Sequence, residues 1–312
     1  MRVVVEAWDP SYGTAVDGEA MSESTAEVNL GVEVDPAAWV PRRPPPELEP
    51  PDVVVFVDGV RRVDARVWVR AAQDPNGAGA EPGLCASWAA GAVRCEPGGA
   101  RLGAVELGRG LFSASRHAAD LVTVHGTYGT CMARSSAPEV LSLALQECMG
   151  GAERAAAERA AGTDAGLVVL DGPLRGRQHL PRVVGMVKTH HVAYLNGQAA
   201  AVLAALAPGE RTPAFTVGTS WTRHSWYVRL PGPPGAPLAG VVRCECPADV
   251  APGALTALAD VTAVVLPRYA SEAHKDARAP QNLYPIAGLE RELRRRLGDP
   301  ALLHRALRVA AA

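Results

Sequence analysis

The apolar residues of this chain fall into short runs of strand length in its first half and into helix-length stretches only later. Val53 to Val57 is a continuous apolar run that ends in Asp58-Gly59 and is followed by the alternating Val63 to Val69. That pattern predicts a buried strand turning into a hairpin. Residues 73 to 82 form a Gly/Pro-rich loop, after which Leu84 to Cys95 and Gly103 to Phe112 read as further strands. From Ala137 to about Ala161 the composition shifts to Ala, Leu, Glu and Arg, with Ser136 and Pro138 at the start and Gly162 at the end. A long helix is expected, weakened in its middle by Gly150-Gly151. Leu167 to Leu170 is a second buried run, and it too ends in Asp-Gly, at Asp171-Gly172. Beyond it the pattern predicts a helix over 198–206, strands over 214–217, 226–230 and 240–246, and helices over 255–266, 285–297 and 301–309.

Ahead of these elements, Arg2 to Ala7 and Ala26 to Val34 are strand-like, and Pro41-Arg42-Arg43-Pro44-Pro45-Pro46 can neither pair in a sheet nor continue a helix. Residues 1–50 therefore read as an N-terminal arm with a Pro-rich linker, and 51–312 as one α/β domain. No internal repeat is visible. The chain has 312 residues, 48% of them hydrophobic, enough for a sizeable core. Its formal charge of -2 excludes a global positive field, so any nucleic-acid surface must be local. No apolar run approaches a membrane span and the N-terminus lacks a cleavable leader pattern, so a soluble cytoplasmic protein with no membrane partner is expected. The six cysteines have no zinc-ribbon spacing, and Cys244 and Cys246 alternate on one face of a strand, so buried free thiols are expected.

Two buried strands ending in Asp-Gly would bring Asp58 and Asp171 to strand ends, where an α/β sheet opens to ligands. Either pair alone is ordinary turn chemistry. Between them lies the long helix carrying Glu147, Glu153 and Glu158. Strand Asp, helix Glu, strand Asp is the ribonuclease H-like order. Carboxylates so arranged hold two divalent cations about 4 Å apart, which activate a water and stabilise the leaving oxygen in phosphodiester cleavage. Oxygen ligands favour Mg2+ or Mn2+. Lys188 lies among Arg175, Arg177, His179, Arg182, His190 and His191, a local basic patch suited to phosphates. The stretch Trp221 to Tyr227 mixes aromatics with cations and could stack bases, though such a stretch is more often an edge strand packed on a core.

On these motifs the chain resembles the NurA family of nucleases over about residues 53 to 297. The matching residues are Phe56-Val57-Asp58-Gly59, Glu153, Leu170-Asp171-Gly172-Pro173-Leu174, Val184-Gly185-Met186-Val187-Lys188 and Tyr284-Pro285. The resemblance implies a ribonuclease H-like mixed sheet flanked by helices with extra β elaboration. It also implies a homodimer that cleaves DNA, partnered by a HerA-type hexameric ATPase in DNA-end processing. Asp58, Glu153 and Asp171 would be metal ligands, Lys188 a phosphate contact, Tyr284 a residue positioning nucleophile or substrate, and Arg175 and Arg177 DNA contacts. Glu147 or Glu158 could replace Glu153 if the glycine pair shifts the helix register. The family histidine falls on Glu292, which is expected at the edge of the buried face as a possible fourth ligand, with Glu290 pointing elsewhere. His274 is a second candidate for that role. The rival reading is a non-catalytic relative acting as a DNA-binding or ATPase-adaptor subunit. A PD-(D/E)xK nuclease is excluded, because Gly185-Met186-Val187 puts no acidic residue beside Lys188.

Overall fold

The computed structural model describes residues 8–9, 22–71, 79–162, 164–174, 176–232 and 238–311. The expected strand Arg2 to Ala7 lies outside them, as does most of the loop at 73–82. In chain order the elements are β1 (Ser22–Glu23), β2 (Glu27–Asn29), β3 (Val54–Val69), β4 (Glu81–Glu96), β5 (Gly99–Ser113), β6 (Leu121–Thr123) and β7 (Gly126–Met132). Then come α1 (Pro138–Ala161), β8 (Leu167–Asp171), β9 (Val183–Val187), β10 (Val192–Ala193), α2 (Gly197–Ala205), β11 (Phe215–Gly218), β12 (Thr222–Arg229) and β13 (Val241–Pro247). Three helices close the chain: α3 (Pro252–Val265), α4 (Tyr284–Arg296) and α5 (Pro300–Ala310). The chain divides into two compact units. The first comprises Met1–Phe56, Arg94–Ala100 and Ala161–Ala287; the second comprises Val57–Val93, Arg101–Ala160 and Gly288–Ala312.

In the first unit the strand order is β2-β11-β12-β13-β9-β8. Its pairs are antiparallel except β8 with β9, which run parallel. Tyr227 packs in one cluster with Ala199, Val202 and Leu203 of α2. Its neighbour Trp226 donates through Nε1 to Thr262 Oγ1 of α3 at 2.8 Å. Successive strand residues point to opposite faces, so α2 and α3 cover opposite faces of this sheet. The stretch expected as an edge strand is therefore an interior one, because β12 pairs with β11 on one side and β13 on the other.

The second unit repeats that logic with the order β3-β4-β5-β7-β6. Leu84, Ala86 and Phe112 pack against Leu141 and Leu145 of α1. Cys85 and Leu111, on the opposite face, pack with Tyr128 and with Leu307 of α5. The alternation of apolar residues on both strand faces is what a sheet covered on both sides requires. The long helix forms as expected and ends at Gly162, whose φ of +53° is the left-handed conformation a helix stop favours. It runs through Gly150-Gly151 unbroken, and nothing in the structure explains that glycine pair.

One feature of the first unit differs from a hydrophobic core. Arg211 is fully buried and carries two carboxylates: Nη2 and Nη1 reach the Glu33 oxygens at 2.7 and 2.9 Å, and Nε reaches Asp260 Oδ1 at 2.6 Å. Glu33 Oε2 also accepts the Ala214 amide at 2.6 Å. The arginine thus ties the loop after β2 to α3 and to the entry of β11. Removing one partner of a buried ion pair leaves uncompensated charge, at about 3–5 kcal/mol. Arg211→Ala is therefore expected to lower the unfolding free energy by an amount in that range in urea denaturation, whereas Arg43→Ala, at an exposed pair with Glu210, is expected to change it by less than about 1 kcal/mol.

Candidate active site

In the first unit β8 is buried from Leu167 to Leu170 and delivers Asp171 at its end. The chain leaves the strand at Gly172, whose φ of +100° only glycine adopts easily. Parallel pairing places Asp171 opposite Met186. Lys188, two residues further along, sends its Nζ to Asp171 Oδ2 at 2.6 Å. The same ammonium donates to Asn282 Oδ1 at 2.8 Å, and Asn282 Nδ2 donates to Asp276 Oδ2 at 2.9 Å. Lys188 and Asn282 are both buried.

The loop after Asp171 is fixed from below. Glu245, fully buried on β13, accepts the Leu174 amide at 2.6 Å, Arg223 Nε at 3.0 Å and Arg243 Nη1 at 2.7 Å. Gly185 of β9 leaves room for this contact. A Cβ there would stand 2.8 Å from the Leu174 amide nitrogen, 2.9 Å from the Gly172 carbonyl oxygen and 3.1 Å from Glu245 Cγ. Arg177 donates to the Pro173 carbonyl at 2.9 Å on the solvent side.

The second unit holds the other candidates. Asp58 lies inside β3, not at its end, and is 6% exposed; its Oδ1 accepts the Gly59 amide at 2.7 Å. The hairpin expected at Asp58-Gly59 is therefore not formed, and the strand continues to Val69. Gly59 has a packing role instead of a turning one. A Cβ there would lie 2.6 Å from Glu153 Oε1 and 3.0 Å from Met149 Cγ, so α1 lays the Glu153 side chain across the glycine beside Asp58. Leu141, Leu145, Met149 and Glu153 follow at intervals of four, one buried stripe whose last member is acidic. Glu147 and Glu158 are exposed.

The expectation for α4 is reversed. Glu290 is the buried glutamate, 7% exposed, while Glu292 forms ion pairs with Arg295 and Arg296 at 2.9 and 2.8 Å. The two guanidinium groups hold the Glu292 carboxyl down at about 2. Helix phase explains the reversal. The buried positions are Ile286, Ala287, Leu289, Leu293 and Leu297, an arc that includes 290 and leaves 292 on the outer side. Asp58 and Glu290 are thus both buried acidic residues of the second unit, while Asp171 ends β8 in the first.

The remaining candidates are dispersed. Tyr284 is partly exposed, and its hydroxyl accepts from Lys275 at 3.3 Å. His274 is exposed beside Glu272, and Arg175 lies outside the described residues. Burial pushes the His190 imidazole down to about 4, with its Nε2 3.0 Å from the Val241 carbonyl oxygen. His190 is thus neutral near pH 7 and adds no charge to the basic segment. The sequence does not single out Asn282 or Glu245. Asn282 carries a faint signal, as a polar residue just ahead of Leu283-Tyr284-Pro285; Glu245 carries none beyond being an acidic residue in an apolar strand.

The chain is similar in structure to the NurA nuclease from Sulfolobus solfataricus, at 12% sequence identity and a TM-score of 0.45, over 83% of this chain and 84% of that one. No family model and no curated protein matches it. Among the described residues no helix is long and apolar enough to cross a membrane.

The tight approach at Gly185 gives a direct test. Gly185→Ala should cost about 1–3 kcal/mol, because the added methyl meets backbone that can yield only by moving the loop behind Asp171. Gly151→Ala, in open space on α1, should instead gain about 0.5–1 kcal/mol. Denaturant melts of the two variants check both signs.

Proposed function

We propose that this protein is a divalent-metal-dependent nuclease that hydrolyses phosphodiester bonds in DNA. The observation that carries the reading lies within the second unit, where the buried carboxylates of Asp58 and Glu153 come together beside Gly59. An all-oxygen donor set suits Mg2+ or Mn2+. When bound, such a cation supplies a water of lowered pKa and charge for the leaving oxygen.

This chain's own groups do the rest. Glu153, folded across Gly59, adds a further carboxylate beside Asp58, as a two-cation site would need. Lys188 brings a positive charge to Asp171 and meets the scissile phosphate, where a preplaced cation is most effective in a water-poor site. Asn282 holds that ammonium in place. Tyr284 orients nucleophile or substrate, and Arg175 and Arg177 contact the phosphates that follow. Glu292, committed to two arginines, stands apart from the ligand set. The order of Asp58-Gly59, Glu153, Asp171-Gly172-Pro173-Leu174, Lys188 and Tyr284-Pro285 supports a ribonuclease H-like core. By the same resemblance the protein works as a cytoplasmic homodimer with a HerA-type hexameric ATPase in recombinational repair.

The experiment is cleavage of end-labelled DNA by the purified protein with Mn2+ or Mg2+, with and without chelator. Asp58→Asn, Asp171→Asn and Glu290→Gln are each expected to lower the rate more than about 100-fold, the upper end of what losing a group that merely supports a metal ligand costs. Glu292→Gln should leave it unchanged. Chelator-resistant cleavage, or wild-type rates in the three ligand variants, would sink the metal site; absence of any cleavage by the wild type would favour a DNA-binding or adaptor subunit.

A further inference from the structure

The second half of β3 presents a face that the core does not use. Ala65, Val67 and Val69 pack toward Cys85, Leu111 and Tyr128. The alternate residues Arg66, Trp68 and Arg70 therefore point the other way, and all three are exposed, Trp68 to 72%. Neither Arg66 nor Arg70 has a carboxylate partner among the described residues. Between this face and the first turns of α1 lies a groove of about 490 Å³, lined by Arg61, Arg62, Arg66, Leu84, Glu139 and Ser142. Arg61 donates to Gln146 Oε1, a neutral partner.

We propose that the Arg66, Trp68 and Arg70 face is a binding ledge for single-stranded nucleic acid, with phosphates on the arginines and an unpaired base on the indole. An exposed indole flanked by cations two residues away on either side matches the two requirements of single-strand binding: a stacking surface and backbone neutralisation. Packing of a second copy on the same face is disfavoured by charge. A two-fold interface brings the same patch of both subunits together, which would oppose arginine to arginine. A duplex offers the indole no free base.

The ledge also has a fixed relation to Asp58. Ten residues of one strand, at about 3.3 Å each, separate Asp58 from Trp68 by about 33 Å. The position of the ledge rests on the strand alone; its use in feeding a substrate rests on the nuclease reading.

The test is fluorescence anisotropy of a labelled 20-nucleotide oligodeoxythymidine with the full chain, in chelator so that no cleavage occurs. Trp68→Ala is expected to weaken binding at least about fivefold, the lower end of what losing one stacked base costs, and Trp68→Phe to retain it. The double change Arg66→Gln with Arg70→Gln should reduce the slope of log affinity against log salt by about 1.4, or 0.7 for each phosphate no longer neutralised. Binding of a 20-base-pair duplex should not depend on Trp68. Wild-type affinity in both variants overturns the proposal, as does an equal loss on duplex. A dimer in sedimentation velocity that Trp68→Ala converts to monomer, with oligonucleotide binding unchanged, would overturn it in favour of contact between copies. The two readings fail separately. Trp68-dependent binding without metal-dependent cleavage leaves the ledge standing, and cleavage with Trp68-independent binding removes the ledge alone.

Discussion

Glu245 is a carboxylate with no access to water, held between two arginines and the amide of Leu174, and the geometry around Asp171 follows from it. A buried charge is tolerable only when its lone pairs are filled. Filling them here uses Arg223 and Arg243, which fixes β12 and β13 against each other, and the Leu174 amide, which fixes the loop leaving β8. Asp171 is three residues upstream of that amide, and Gly172 supplies the change of direction between them. The acidic end of β8 is therefore held by electrostatics placed beneath the sheet, while Lys188 and Asn282 fix it from the side.

A protein that concentrates charge in this way must keep its carboxylates apart from their own arginines. Glu292 shows what happens otherwise: two neighbours on the same helix saturate it, and its carboxyl is held strongly acidic. Glu290, 3.7 Å from Arg294, is instead turned inward by helix phase. The difference between a residue fit for a metal and one fit for a surface ion pair is here a rotation of about 200° around α4, two residues at 100° each.

How much of this can be read in the sequence depends on what the signal is. The helices from α1 to α5 and the buried runs of β3 and β8 are legible because their apolar periods are long or continuous. Glu153 is legible as well, being the member of Leu141, Leu145, Met149 and Glu153 that keeps the helical interval. Asp58-Gly59 misleads, because Asp-Gly marks a turn only when the glycine is needed for its φ, and at Gly59 it is needed for its missing side chain. The phase of Glu290 and Glu292 cannot be set from two leucines, since Leu289 and Leu293 fit an arc extending to either side. Asn282 and Glu245 act through partners about ninety and seventy residues away in sequence, and no local pattern encodes such pairings.

The contact of Gly59 with Glu153 joins two positions that are distant along the chain into one unit of inheritance. Any side chain at 59 would occupy the place of the Glu153 carboxylate, and any shorter residue at 153 would open a void over a bare stretch of strand. The two sites are therefore coupled: in diverged relatives a residue larger than glycine at the first should be accompanied by a smaller or re-oriented one at the second. A relative that kept the glutamate while gaining a methyl at 59 would have to swing the Glu153 and Met149 side chains away from the strand, and with them the carboxylate beside Asp58.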